Sequence, residues 1–392
     1  MDFPERFSNL PEYAFPRLRA LLDGVEPGGA PIAMSIGEPK HAFPDFVTGI
    51  IAQHAADFGR YPPNEGTEGL LDAIGAWVLR RYRVQLNPSV QVMVLNGTRE
   101  GLFSAGVALC PARKGGGQAI VAVPNPFYQV YAVAAAAAGA ETVFLPATEE
   151  TGFLPDVASL PEDRLARLAM VYVCSPSNPQ GAVADEAYWR ALIDLAEEHD
   201  FMVLADECYS EIWRSAPPPG ALEVAAKMGA HPERVAIFHS LSKRSNLPGL
   251  RSGFVAGGPE TIRRMRQLRA YAGAPLPLPL QHAAEAVWRD EAHVDENRAL
   301  YQRKYRIAGR IFGNVPKFSL PEGGFFLWLP VDDAEEATTR LWRETGVKVL
   351  PGHYLAREVE GTTPGQDRIR VAMVAEEEEM ERGLQAIRDT LY

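Results

Sequence analysis

Seven short runs of apolar and β-branched residues in the middle of this 392-residue chain constrain its fold more than any other feature. They are Val90–Asn96, Gln118–Val123, Thr142–Leu145, Ala169–Cys174, Phe201–Ala205, Val235–Phe238 and Gly253–Ala256, and each reads as a buried strand. Helical stretches such as Tyr128–Ala138 and Glu186–His199 lie between several of them. Strands alternating with helices predict an α/β domain built on a largely parallel, seven-stranded sheet, spanning residues 45–285. The pattern changes near residue 286. A long amphipathic stretch, Ala286–Phe312, predicts a connecting helix, and shorter strand-like pieces follow at Phe325–Leu329, Val347–Leu350 and Arg368–Ala372. With a last acidic helix holding Glu376–Glu379, these form a smaller α+β domain, residues 286–392. Residues 1–44 have no strand–helix repeat of their own and are expected to join it. The run Ala134–Ala138 reads as a close-packed helix, because alanine is the best helix former.

Composition narrows the classes. Apolar residues make up 46% and charged residues 23% of the chain, as in ordinary folded proteins. A formal net charge of -11 argues against a nucleic-acid partner, which wants a basic face. The basic cluster Arg263-Arg264-Met265-Arg266 reads as a solvated helix face. Cys110, Cys174 and Cys208 are scattered in apolar surroundings and read as reduced core thiols of a cytoplasmic protein. The start, MDFPERFSNL, lacks a basic-then-apolar targeting pattern. No run approaches ~18 apolar residues, so no membrane span is expected. No HxxxH or HExxH pair occurs among the eight histidines, and no metal is expected.

In open α/β sheets ligands sit beyond the carboxyl ends of the strands. Five successive strand ends therefore carry the argument. Asn96-Gly97-Thr98-Arg99 follows the first run and opens a helix. It reads either as an anion-binding turn or as a simple cap by Thr98. Pro124-Asn125-Pro126-Phe127-Tyr128 stiffens the next exit, and Tyr128 is either a ring-stacking aromatic or a turn tyrosine. Ser175-Pro176-Ser177-Asn178-Pro179-Gln180-Gly181 is a turn whose Asn178 amide can donate to a phenolate oxygen. Asp206, ending the fourth run, needs a cationic partner, either a protonated pyridine nitrogen or a structural arginine. Tyr209 lies three residues on. The fifth end, Ser240-Leu241-Ser242-Lys243, places an amine between two hydroxyls, and Arg251 follows at plus eight. An amine that can condense with an aldehyde, beside a phosphate-sized cation, is what pyridoxal phosphate needs. Ser-x-x-Lys also occurs in penicillin-binding enzymes, but their Ser-Asp-Asn and Lys-Thr-Gly companions are missing here.

On these residues the chain resembles the class I/II aminotransferases of pyridoxal phosphate fold type I, and the resemblance runs over essentially its whole length. It implies Lys243 as the Schiff-base lysine, Arg251 with Ser240, Ser242 and the Gly97-Thr98-Arg99 turn at the phosphate, and Tyr128 against the ring. It implies Asp206 at the ring nitrogen, and Asn178 and Tyr209 at the phenolate oxygen. Ser35-Ile36-Gly37-Glu38-Pro39 resembles the turn whose glycine faces the substrate carboxylate. Ile369-Arg370-Val371-Ala372 resembles the segment whose arginine clamps it, and Gly323-Gly324-Phe325-Phe326 matches too. Arg60-Tyr61 resembles the stretch whose tyrosine reaches the phosphate in a neighbouring subunit, which implies a homodimer with shared sites.

Ser35–His41, Asn125–Gln129, Asp206–Ser210, His239–Asn246, Asp290–Val294 and Glu296–Tyr301 further resemble the succinyldiaminopimelate transaminases of bacterial lysine biosynthesis. That implies amino transfer between N-succinyl-LL-2,6-diaminopimelate and 2-oxoglutarate. The stretch Ala270–Leu280 departs from that pattern in being more apolar and proline-rich at the expected subunit contact. An aspartate- or alanine-type aminotransferase, a C–S lyase of the same fold and a cofactor-sensing regulator are the rival readings. A dicarboxylate substrate needs a second cationic contact, for which Lys40, Arg17, Arg19 and Arg244 are the candidates. The Arg244-Ser245-Asn246 insert between Lys243 and Arg251 is read as pointing to the narrower substrate class.

Overall fold

All seven apolar runs form strands of one sheet, in the order Val92–Leu95, Gly253–Ala256, Val235–Ser240, Met202–Asp206, Leu168–Cys174, Ile120–Asn125 and Glu141–Pro146. This is the arrangement in a computed structural model that describes residues 5–392. The first four residues of the terminal stretch read above lie outside the described residues. Only Gly253–Ala256 runs antiparallel to its neighbours. Both faces of the sheet are buried. Met170 and Tyr172 point into one apolar cluster, and Val171 and Val173 into another. Burial on both sides is why these strands read as continuous apolar runs instead of alternating ones.

The alanine run lies in the helix Val130–Ala138, which packs closely on Thr98–Leu109. A Cβ added to Gly106 would come within 2.8 Å of Ala134 Cβ, so small residues are required on both sides. The helix Glu186–His199 starts at the N-cap Asp185, whose carboxylate accepts the Tyr188 N–H at 2.7 Å.

The expected connecting helix at 286–312 is two helices, Leu278–Arg289 and Ala292–Phe312. Asp290 is extended at the break, and its Oδ2 accepts the His293 N–H at 3.1 Å. That local bond competes with helix continuation. Arg244 reinforces the break by donating to the Val287 and Asp290 carbonyls at 3.1 and 3.2 Å, where a helix C-terminus favours a cation. The predicted strand at 347–350 is likewise two pieces. Val347–Lys348 pairs in parallel with Ile32–Ala33, while Leu350–Pro351 pairs antiparallel with Arg368–Ala372. Arg368–Ala372 also pairs with Phe326–Pro330. The N-terminal segment is thereby stitched to the C-terminal elements. Helix Glu377–Leu391 closes the chain, with three glutamates in its first turn where the helix dipole favours them. Among the described residues no helix is long and apolar enough to cross a membrane.

Candidate active site

Three parallel strands end at Cys174, Asp206 and Ser240, and all three end residues face one cavity of about 380 Å³. The opposite wall comes from the N-terminal segment and the three-stranded sheet, through Gly37, Glu38, Phe326 and Arg370. Of the residues singled out in the sequence, Gly37, Thr98, Arg99, Tyr128, Asn178, Asp206, Tyr209, Ser240, Ser242, Lys243, Arg251 and Arg370 line this cavity. Gly97 lies directly behind Arg251. Tyr61 is elsewhere, fully exposed on the surface.

Lys243 sits in the short helix Leu241–Arg244, entered from the strand Val235–Ser240. Ser240 caps that helix by accepting the Ser242 N–H at 3.1 Å. The Lys243 amine donates to the Gly37 carbonyl and lies 5.3 Å from the Phe325 ring centre. Burial lowers its pKa to about 8. At pH 7.5 roughly a quarter is then neutral, against about one part in a thousand for an ordinary lysine.

Among the described residues Asp206 has no arginine partner. Its Oδ2 accepts the Tyr131 hydroxyl at 2.7 Å and its Oδ1 accepts the Cys208 N–H at 3.3 Å. Both donors are neutral, and burial raises the carboxyl pKa despite them. Tyr131 escaped the sequence reading, although its i, i+3 spacing from Tyr128 at the mouth of a helix was available as a signal. Its ring stacks on Tyr172 at 4.7 Å, which fixes the hydroxyl.

Arg370 is buried, donating to Asn178 Oδ1 at 2.9 Å and to the Ser35 carbonyl at 2.8 Å. Its guanidinium lies 4.3 Å from the Phe326 ring centre, and its Nε has no partner. Burial pulls its pKa down to about 10, which leaves it cationic at neutral pH. Because Asn178 spends its oxygen on Arg370, its amide N–H groups remain free to donate toward the cavity.

The anion-binding side is built around a tight contact. Gly97, at φ +79°, caps the helix Thr98–Leu109, and a Cβ there would stand 2.2 Å from the Arg251 guanidinium. Thr98 makes no cap bond. Its hydroxyl is 3.0 Å from Cys208 Sγ. Arg251 donates only to the Pro248 and Asn96 carbonyls, at 2.9 and 3.2 Å. Helix N–H groups, the Ser240, Ser242 and Thr98 hydroxyls and one guanidinium thus converge, and among the described residues no carboxylate pairs with that guanidinium. Together with the unpartnered Arg370 Nε, the free Asn178 amide and an amine within reach, this donor set fits pyridoxal phosphate.

Several expectations need correction. Arg244 is not a substrate ligand. It is buried between Trp77 and Trp288, pairs with Glu291 at 2.9 Å and caps a helix. Lys40, Arg17 and Arg19 are also outside the cavity wall, and Arg17 lies instead over the Tyr354 ring. The rim is supplied by Tyr13, Phe15, Ile36, Gln129 and Leu355; Ile36 and Gln129 lie in stretches singled out above, whereas no sequence pattern announces Tyr13, Phe15 or Leu355. Of the three cysteines expected in the core only Cys174 is buried, while Cys110 and Cys208 are half-buried; Cys174 and Cys208 belong to the cavity wall, and desolvation raises both of their pKa values. His54, Asp57 and His282 bring three ligand-type atoms within 4.8 Å of one another. The two imidazoles, however, stack at 3.9 Å and 21°, so no point lies in both ring planes at metal-bonding distance.

The family described as aminotransferase class I and II matches residues 31–387. An LL-diaminopimelate aminotransferase from Dehalococcoides mccartyi is 30% identical over 98% of this chain and 97% of its own. A solved aminotransferase from Neisseria meningitidis superposes with a TM-score of 0.94 at 35% identity, covering all of both chains. A probable N-succinyldiaminopimelate aminotransferase from Thermus thermophilus gives 0.83 at 25% identity, covering 96% of this chain and 100% of that one.

Proposed function

Because this chain belongs to the class I and II aminotransferases, enzymes that depend on pyridoxal phosphate, we propose that it moves the α-amino group of N-succinyl-LL-2,6-diaminopimelate to 2-oxoglutarate. The observation that carries the chemistry is the convergence of Lys243, Asp206, Asn178, Tyr209 and Arg370 on one cavity. The cofactor supplies an aldehyde to take up the amino group and a protonated ring to accept electrons from the substrate α-carbon. Arg251, Ser240, Ser242, Thr98 and the Gly97 turn hold its phosphate. Arg99 orients Tyr128 through a 2.7 Å bond to the phenol, so that the tyrosine would be held ready to pack on the cofactor. Asp206 holds the proton on the ring nitrogen, while Asn178 and Tyr209 donate to the phenolate oxygen. Lys243 Nζ is the base that takes the proton from the α-carbon, and its lowered pKa suits that work near neutral pH. Arg370 binds the α-carboxylate beside Gly37.

The choice of donor rests on the rim. Tyr13, Phe15, Ile36 and Leu355 offer an apolar wall that suits a methylene chain longer than that of aspartate or alanine. The names of the relatives favour a second reading, free LL-diaminopimelate as donor. A half-reaction panel separates these. The holoenzyme is mixed in turn with N-succinyl-LL-diaminopimelate, LL-diaminopimelate, glutamate, aspartate and alanine, and loss of the visible cofactor band is followed. Fastest loss with the succinylated donor is expected. Fastest loss with the free diamine would give the second reading, and with aspartate or alanine would overturn both.

Residues 45–285 act in this reading as the cofactor-holding domain, with 1–44 and 286–392 as the domain that closes over the substrate. Two copies form a dimer in which Tyr61, wholly exposed in a single chain, reaches the partner's site. The free state of all three cysteines suits a cytoplasmic setting.

Arg370→Lys is expected to lower kcat/KM for the amino donor about 100-fold, mostly through KM. A lysine supplies a point charge where the carboxylate wants two parallel bonds. Steady-state kinetics with an unchanged KM would remove Arg370 from this role.

A further inference from the structure

Behind the Lys243 amine runs a buried polar chain that the chemistry above does not use. Lys304, midway along the helix Ala292–Phe312, is 1% exposed and, among the described residues, has no carboxylate in contact. It donates to His41 Nε2 at 2.6 Å, to the Met373 carbonyl at 3.1 Å and to the Ala375 carbonyl at 2.5 Å. Three N–H bonds meet three acceptors, so the ammonium is fully satisfied. An ammonium only donates, so His41 Nε2 must be the lone-pair nitrogen and Nδ1 must carry the proton. Nδ1 then donates to Asn297 Oδ1 at 3.0 Å, where Asn246 Nδ2 also donates at 3.1 Å. Asn297 is left with its amide N–H groups to give, and they face the Lys243 and Arg244 carbonyls at 3.4 and 3.3 Å. One buried charge thus sets the direction of every bond in the chain, and no donor faces a donor.

The anchor points are telling. Met373 and Ala375 follow directly on Arg368–Ala372, the strand that carries Arg370. His41 lies four residues after Gly37, whose carbonyl accepts the Lys243 amine. Asn297 holds the main chain of Lys243 itself. An apolar side chain at position 304 would fill the same space without the cost of desolvating an ammonium. What the ammonium adds is fixed direction, and with it a fixed spacing between three segments that come from distant parts of the sequence.

We propose that Lys304 and His41 are positioning residues that hold the Lys243 amine in register with the Arg370 guanidinium, so that base and carboxylate clamp address one α-carbon. The inference rests on the roles given to Lys243 and Arg370 above.

Lys304→Met keeps the length of the side chain and removes the donors. In the holoenzyme it is expected to lower kcat about 10- to 100-fold, the scale of an ångström-size misplacement, with KM for the amino donor within about threefold. Cofactor stoichiometry should hold, while the visible circular dichroism of the bound cofactor weakens as the site loses its fixed geometry. His41→Asn keeps an amide toward Asn297 but cannot reach Lys304. It should fall between wild type and Lys304→Met, and it carries the test if Lys304→Met does not fold. Ile387→Ala, in the core of the small domain, is the matched control, with a lower Tm but wild-type kcat and dichroism. A Lys304→Met or His41→Asn enzyme that behaves like this control would overturn the proposal. Failure of the underlying reading looks different, because Lys243→Ala itself would then keep wild-type turnover.

Discussion

Lys243→Ala should lower amino transfer about 10⁴-fold or more and abolish the visible absorption of the lysine-linked cofactor, while the protein still folds. No other side chain can replace this amine. The nearest cations in the wall are Arg251, Arg99 and Arg370, guanidiniums that stay protonated at working pH and cannot act as bases. The substitution has a second consequence, opposite in sign, for the cofactor-free protein. Burial lowers the Lys243 pKa from 10.5 in the unfolded chain to about 8. Below pH 8 the amine is charged in both states, and the folded state bears the full desolvation cost. Between pH 8 and 10.5 the unfolded chain binds more protons, so stability rises with pH. Above that range the cost is gone. Apo Lys243→Ala should therefore melt higher than apo wild type at pH 7, by something of order 1–3 kcal/mol, with the gap closing as pH rises through this window. Thermal melts at several pH values check this. Wild-type colour and turnover in the variant would remove Lys243 from the centre of the site.

The parts of this architecture that were legible in the sequence share a physical basis. The inner strands of the large sheet are buried on both faces, so most of their length had to be apolar, and the runs stood out against polar turns, whereas the edge strand Glu141–Pro146 is partly exposed. Where those strands end, Asp206, Ser240 and, three residues on, Lys243 face one cavity, and their places could be read in order. Features set by contacts between distant segments were not legible. The break at Asp290 depends on Arg244, 46 residues away, reaching across to the helix end. Arg244 itself, beside Lys243 in the chain, looked like a candidate for the cavity. Its direction on the short helix turns it instead toward Trp77 and Trp288. Tyr13 and Phe15 reach the rim only because the helix Ala14–Leu21 docks against Leu350 and Tyr354, more than 300 residues on, and no periodicity reports that contact. The His41–Lys304 chain was hidden for the same reason, its two ends being 263 residues apart.

Asp206→Asn should lower kcat about 10³-fold while leaving KM for both substrates nearly unchanged. The carboxylate is 4% exposed, and its two partners, the Tyr131 hydroxyl and the Cys208 N–H, are neutral dipoles. They lower the cost of holding the anion in the protein but do not cancel its charge, which is why burial still raises its pKa. An anion kept in a dry strand end at such cost is strongest when a cation stands opposite, and in the proposed reading that cation would be a protonated ring nitrogen. Asparagine preserves size and can still accept from Tyr131, yet it offers no net charge to hold that proton in place. Binding should survive, because Arg251, the Gly97 turn and the serine hydroxyls do not depend on position 206. The loss therefore belongs in kcat, with the cofactor still present at full stoichiometry and its visible band shifted. Asp206→Glu separates charge from placement. It keeps the anion but advances it by one methylene into a wall shared with Tyr131 and Cys208, and it should recover part of the rate. Equal loss in Asn and Glu variants would mean that position, not charge, is what Asp206 contributes. A wild-type kcat in Asp206→Asn would sever the strand end from the chemistry altogether.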